Sequence, residues 1–226
     1  MNDVNSHSNR QIYRLPAAAL CTWFCLCAAG CGSLSQPSLA RAYFAIEPGS
    51  PKPAIPTSQP GRAPILTVEP LRVSQPFDGL NFVYKIGPSQ FDFDPYDTYV
   101  APPSDLLTGT LIHWLNQSSP LITVRSASTL RSDLVLEGEI TALYIDSTAA
   151  PSRTAVVAGR FFLIRQHAGE YDLLGDMPFA ESAPVSAQTP AAFAKALGRA
   201  WRQVLLGVTE QLENKALPVA TDKAAR

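Results

Sequence analysis

Beyond residue 31 the chain has no cysteine, so the remaining body can hold neither a disulfide framework nor a thiolate metal site. Histidine is nearly as scarce. Past the N-terminal segment only His113 and His167 occur, without an H-x3-H spacing that would place two ligands on one helix face. Neither G-x-S-x-G nor a Gly-rich phosphate loop is present, which removes the usual signatures of serine hydrolases and nucleotide sites. Eighteen basic residues stand against nineteen acidic ones. A net charge so near zero gives no basic face, and nucleic acid is not an expected partner.

What cysteine there is lies in one place. Cys21, Cys25, Cys27 and Cys31 are all four that the chain has. Their C-x3-C-x-C-x3-C spacing lacks the two separated pairs of a tetrahedral site, and Trp23, Phe24, Leu26, Ala28 and Ala29 between them offer no turn. Arg10 and Arg14 precede an uncharged apolar run from Leu15 to Gly30. Positive, then apolar, then small is the layout of an export signal. Sixteen residues at a 1.5 Å rise reach about 24 Å, short of a hydrocarbon core of roughly 30 Å. Ala28-Ala29-Gly30-Cys31 resembles the bacterial lipobox, with cleavage between Gly30 and Cys31 and lipid attached to the Cys31 thiol. Ala28 departs from it, since Leu is usual there. An uncleaved signal anchor is the alternative. By resemblance to bacterial lipoproteins, Gly32 rather than Asp after the cysteine favours the outer membrane over the inner. Each buried methylene contributes about 0.8 kcal/mol, so two or three palmitate-type chains would hold where one would not. These acyl chains on Cys31 are the only prosthetic group expected.

The chain divides into a signal (1–30), a tether (31–41), a domain (42–214) and a loose tail (215–226). Ala42 to Ile46 reads as a strand, and the prolines from Pro48 to Pro60 read as a loop of polyproline character. Such a segment serves as a signalling ligand elsewhere, but not commonly in exported bacterial proteins. Residues 65–69 and 80–86 are branched, aromatic runs expected to pair through the turn around Pro76-Phe-Asp-Gly79. A polar-aromatic passage, 91–99, is expected as a loop. Ser104 is expected to cap a helix carrying Leu107, Leu111, Trp114 and Leu115 at helical spacing. Leu121 to Val124 begins a strand, and 134–145, 154–165 and 171–180 form a meander. Thr189 then caps a long helix opening with Pro190, whose stripe is Phe193, Leu197, Ala200, Trp201, Val204, Val208 and Leu212.

No catalytic constellation follows from this layout. His113 sits at the polar edge of the first helix, His167 beside a turn glycine. Glu137 and Glu139 share a strand face, an arrangement open to acid–base work but far commoner on a solvated sheet. Neither catalytic residues nor a metal site are expected. A periplasmic hydrolase would have to use one of these four residues. For binding, Phe91, Phe93, Tyr96 and Tyr99 alternate with Asp92, Asp94 and Asp97. Either they form an exposed loop that contacts a protein or lipid, or the rings fold inward over the sheet.

The order of these segments, with the early Tyr43-Phe-Ala-Ile46 strand, the mid-chain helix, the meander and the long C-terminal helix, resembles the ABC-type transport auxiliary lipoproteins. These paraquat-inducible protein C-like components accompany ABC transporters with mammalian-cell-entry (MCE) domains. The likeness runs over roughly 31–214. Tyr96-Asp-Thr-Tyr99-Val-Ala-Pro102-Pro103 matches a turn in which many members carry Trp where Tyr99 stands. The resemblance implies a single three-layer α/β domain, a mixed and mostly antiparallel sheet packed by two main helices. It also implies a non-enzymatic role in moving lipids or other hydrophobic molecules between the two membranes, with an MCE protein, a permease and an ATPase as partners; self-association is left open. A structural lipoprotein assisting another envelope complex is the alternative.

Overall fold

In the computed structural model, residues 41–53, 64–119, 122–125, 131–167 and 169–224 are described. Gly30, Cys31 and the tether up to residue 40 lie outside them. In chain order the elements are β1 (Ala42–Phe44), β2 (Ile65–Val68), β3 (Arg72–Val73), a 3-10 turn (Gln75–Phe77), β4 (Asn81–Lys85) and β5 (Phe91–Tyr99). There follow α1 (Pro103–Ser118), β6 (Ile122–Arg125), β7 (Leu134–Asp146), β8 (Thr154–His167), β9 (Glu170–Pro184) and α2 (Pro190–Ala224).

The spine of the sheet is β7, whose sequence alternates with the period of two that a strand requires. Leu134, Leu136 and Ile140 are buried, while Glu139 between them is exposed. One edge of β7 takes β8 antiparallel, and β8 takes β9, as the expected meander. The other edge is shared by three short strands, all parallel to it. Leu66 to Val68 meet Leu134 to Leu136, Arg72 and Val73 meet Glu139 and Ile140, and Tyr84 and Lys85 meet Ile145 and Asp146. The expected pairing of β2 with β4 therefore does not occur. The chain keeps its direction along β7 through β3 and the 3-10 turn, so β4 reaches the spine further along instead of folding back. Beyond β2 lies β6, and beyond β4 lie β5 and then β1.

Both helices use the faces that their periodicity marks. Leu107, Leu111, Trp114 and Leu115 of α1 are buried, as is the whole stripe of α2 from Phe193 to Leu212. Thr189 Oγ1 accepts the Ala192 N–H at 3.3 Å, which caps α2 as expected. The start of α1 differs: Pro102 is its N-cap, and the Ser104 N–H donates to Asp78 Oδ1 at 3.1 Å. A carboxylate from the 3-10 turn, distant in sequence, thus caps the helix. The region expected as a tail from 215 continues as helix through Ala224.

Two hydrogen bonds of opposite sense join the helices. Trp201 Nε1–H donates to Thr110 Oγ1 at 2.8 Å, and Trp114 Nε1–H donates to Thr209 Oγ1 at 3.2 Å. Both indoles are fully buried, and truncating such a ring costs about 3–5 kcal/mol. The Trp201 ring lies 6.5 Å from Phe161 of β8, whereas Leu71 links the sheet to α1 by donating its N–H to Thr108 Oγ1 at 2.9 Å. The helices thus share one face. Among the described residues the opposite face of the sheet carries no α-helix.

Candidate functional site: an aromatic sheet face

The segment 91–99 is a strand, not the expected loop. It pairs antiparallel with β4 and parallel with β1. Phe91 lies opposite Lys85 and Phe93 opposite Val83, while Asp92 lies opposite Tyr84. Because side chains alternate across a strand, rings and carboxylates part company. Tyr84 packs on Phe193 of α2, with ring centroids 5.5 Å apart, so Tyr84 and Asp92 belong to the helical face. Phe91 and Phe93 belong to the helix-free face.

Pro95 is accommodated by a bulge. Between the Val83–Phe93 and Asn81–Thr98 pairs, β5 holds extra residues, and Asp94 organises them. Its Oδ1 accepts the N–H groups of Tyr96 and Asp97, both at 2.9 Å, and its Oδ2 accepts the Tyr84 hydroxyl at 2.9 Å. Partial burial pushes the Asp94 carboxyl up, but these donors outweigh it and its pKa falls below the ordinary value. Burial, and then the Asp94 charge, pushes Asp97 up. Burial likewise raises the Tyr84 hydroxyl, with Asp94 adding to the shift.

The bulge also reverses which way the strand faces. Past it, Tyr99 turns to the helical face, where it meets Phe82 with ring centroids 4.7 Å apart and is 2% exposed. Its burial raises its hydroxyl pKa. Tyr99 therefore drops out of the expected contact set. Phe91, Phe93 and Tyr96 remain at the surface, 37%, 50% and 45% exposed.

Residues not singled out in the sequence complete the face. Phe77, from the 3-10 turn, packs on Phe91 and Tyr144 at 5.8 and 5.9 Å, and Phe91 on Tyr144 at 5.7 Å. Lys85 Nζ stands 5.7 Å over the Tyr144 ring. Beside Lys85 lies Asp146, whose pKa is lowered by hydrogen bonds from Thr148 and then by the Lys85 charge. At the sheet edge Tyr43, opposite Thr98, is exposed. Its neighbour Phe44 points the other way, onto Phe82. The alternation of β7 carried the signal for Tyr144. Nothing local marked Phe77.

The remaining candidates are not brought together. His113 Nε2 lies 2.8 Å from Gln117 Nε2 on the exposed side of α1. Glu137 pairs with Arg72 at 3.7 Å on the sheet surface. Only the backbone of His167 is described, at the end of β8. A groove of about 310 Å³ runs between Glu47–Gly49 and the Gly109, Thr110, His113 and Trp114 side of α1. Arg202 stacks 5.3 Å from Trp114 and donates to the carbonyls of Pro48 and Ser50, which ties the loop after β1 to α2.

The architecture has counterparts. The model of the ABC-type transport auxiliary lipoprotein component matches residues 44–208. The chain belongs to this family. Its members are lipoprotein components of ABC-type transport, not an enzyme family. The crystal structure of protein XCC0632 from Xanthomonas campestris superposes with a TM-score of 0.60 at 18% identity, covering 77% of this chain and 97% of that one. An uncharacterised protein gives 0.59 at 18% identity, with 76% and 99% covered. At that identity the likeness establishes the fold: a mixed, open sheet packed by two helices. No curated protein matches. Among the described residues no helix is long and apolar enough to cross a membrane.

Proposed function

We propose that this auxiliary lipoprotein is anchored by acyl chains on Cys31 to the periplasmic side of the outer membrane. There it serves an ABC transporter that moves lipids or other hydrophobic molecules between the two membranes, with an MCE-domain protein bridging to the permease and ATPase. The family match over 44–208 carries this reading. Two features of the sequence support it: a basic, apolar, small-residue leader ending at Cys31, and a body without a catalytic constellation. The chain contributes position and contact surface, not bond chemistry.

Replacement of the acyl acceptor tests the anchoring half. Cys31→Ser is expected to move the protein from the outer-membrane fraction to the soluble periplasm or to leave its leader uncut. It is also expected to abolish complementation of a lipid-trafficking defect in a deletion strain. A Cys31→Ser protein that stays in the outer membrane and fully complements would refute it.

A further inference from the structure

We infer that the helix-free face at the β1–β5 edge, bearing Tyr43, Phe91 and Phe93 with Tyr96 at its rim, lies against a phospholipid bilayer and orients the body. The inference rests on the reading of Cys31 as the acylated residue and adds a second, non-covalent contact to it.

Three observations converge. Exposed rings gather at this edge: Tyr43, Phe91, Phe93 and Tyr96 are four of the ten large hydrophobic residues exposed among those described, all on the paired strands β1 and β5. Charge near the rings is either turned away or paired, as with Asp146 beside Lys85. Asp92 falls on the helical face, Asp94 is held by the Tyr84 hydroxyl and two backbone N–H groups, and Lys85 remains beside Tyr144. Phenylalanine and tyrosine flanked by a lysine suit the headgroup boundary, where an apolar body and a polar tip are both satisfied.

The third observation is where the tether enters. Eleven covalent steps separate Cys31 from Ala42, a reach of at most about 36–40 Å. Ala42 opens β1, the strand paired directly with β5. The anchor therefore presents its own bilayer to this edge at high effective concentration, so a modest apolar contact suffices to fix orientation. Tyr171 and Leu173, also exposed, sit on the β8–β9 hairpin beyond β7 and lack that proximity in sequence to the anchor.

Trp114 and Trp201 are buried and Trp23 leaves with the signal, so in the processed protein a tryptophan placed at the surface reports separately. Processed Phe93→Trp and Tyr171→Trp proteins, purified from envelopes, would be reconstituted in phosphatidylethanolamine–phosphatidylcholine vesicles with brominated acyl chains. Phe93→Trp is expected to lose about half or more of its added emission and shift to the blue, with Tyr171→Trp unchanged. Equal quenching at both sites, or none at 93, would overturn the inference. Shielding of residue 93 only on adding an MCE-domain protein would overturn it too and assign the face to a protein. The mass of the Cys31 peptide from the same sample separates the two claims. A bare thiol removes the anchoring reading and the inference with it, whereas an acylated Cys31 with residue 93 unquenched removes only the bilayer contact.

Discussion

Asp94 does with one carboxylate what a ladder of backbone pairs does elsewhere in the sheet: it satisfies the Tyr96 and Asp97 N–H groups and the Tyr84 hydroxyl. Its removal in Asp94→Ala leaves three donors without a partner, and a loss of roughly 2 kcal/mol is expected in denaturant unfolding. Tyr84→Phe, which removes one donor and leaves the backbone bonds intact, is expected to cost less. The pH dependence has a definite sign. Since the Asp94 pKa is lowered on folding, its contribution is present above the unfolded value, about 3.9, and is lost as the pH falls through the lower folded value. Asp97, raised on folding, takes up its proton first and works in the opposite sense. The Tyr96 amide resonance should therefore hold its bulge position until the pH is below the ordinary aspartate range, whereas the Asp97 carboxyl titrates above it; release of the Tyr96 amide well above that range would be contrary. The Phe91-Asp-Phe-Asp94 alternation has strand period, but Pro95 interrupts it. What made the proline tolerable was a hydrogen-bonded bulge whose partner, Tyr84, lies on another strand.

Helix periodicity was legible because each helix buries one stripe, and every residue of the α2 stripe is inside. Strand order was not, since β2, β3 and β4 all compete for the same edge of β7, a choice made by non-local packing. The side of the sheet that each helix takes was not legible for a similar reason. Periodicity shows that a helix has an apolar face but not which side of the sheet receives it, and here the reciprocal Trp–Thr bonds place both helices together. Gly198 tests how closely α2 approaches the loop after β1. A Cβ there would overlap the Glu47 carbonyl oxygen, backbone that cannot rotate aside. Gly198→Ala is expected to destabilise by about 2 kcal/mol despite its gain in helix propensity. It should also speed hydrogen exchange in 47–51, the segment that Arg202 holds through Pro48 and Ser50. An unchanged or raised melting temperature would show that this approach is slack.

At the scale of the whole molecule, the fold keeps polar chemistry dispersed and apolar rings gathered. His113 and Glu137 are far from any shared centre, each with a local partner, while Phe77, Phe91 and Tyr144 pack as one cluster. That distribution suits a component that works by place and contact, the role proposed above for this member of a transport-auxiliary lipoprotein family. Affinity capture of the tagged, acylated protein from gently solubilised envelopes, with mass spectrometric identification of what accompanies it, tests this most directly. An MCE-domain protein with its permease and ATPase should be recovered, and lost from the Cys31→Ser strain. Reproducible recovery of a different envelope assembly, with none of those three, would contradict the account.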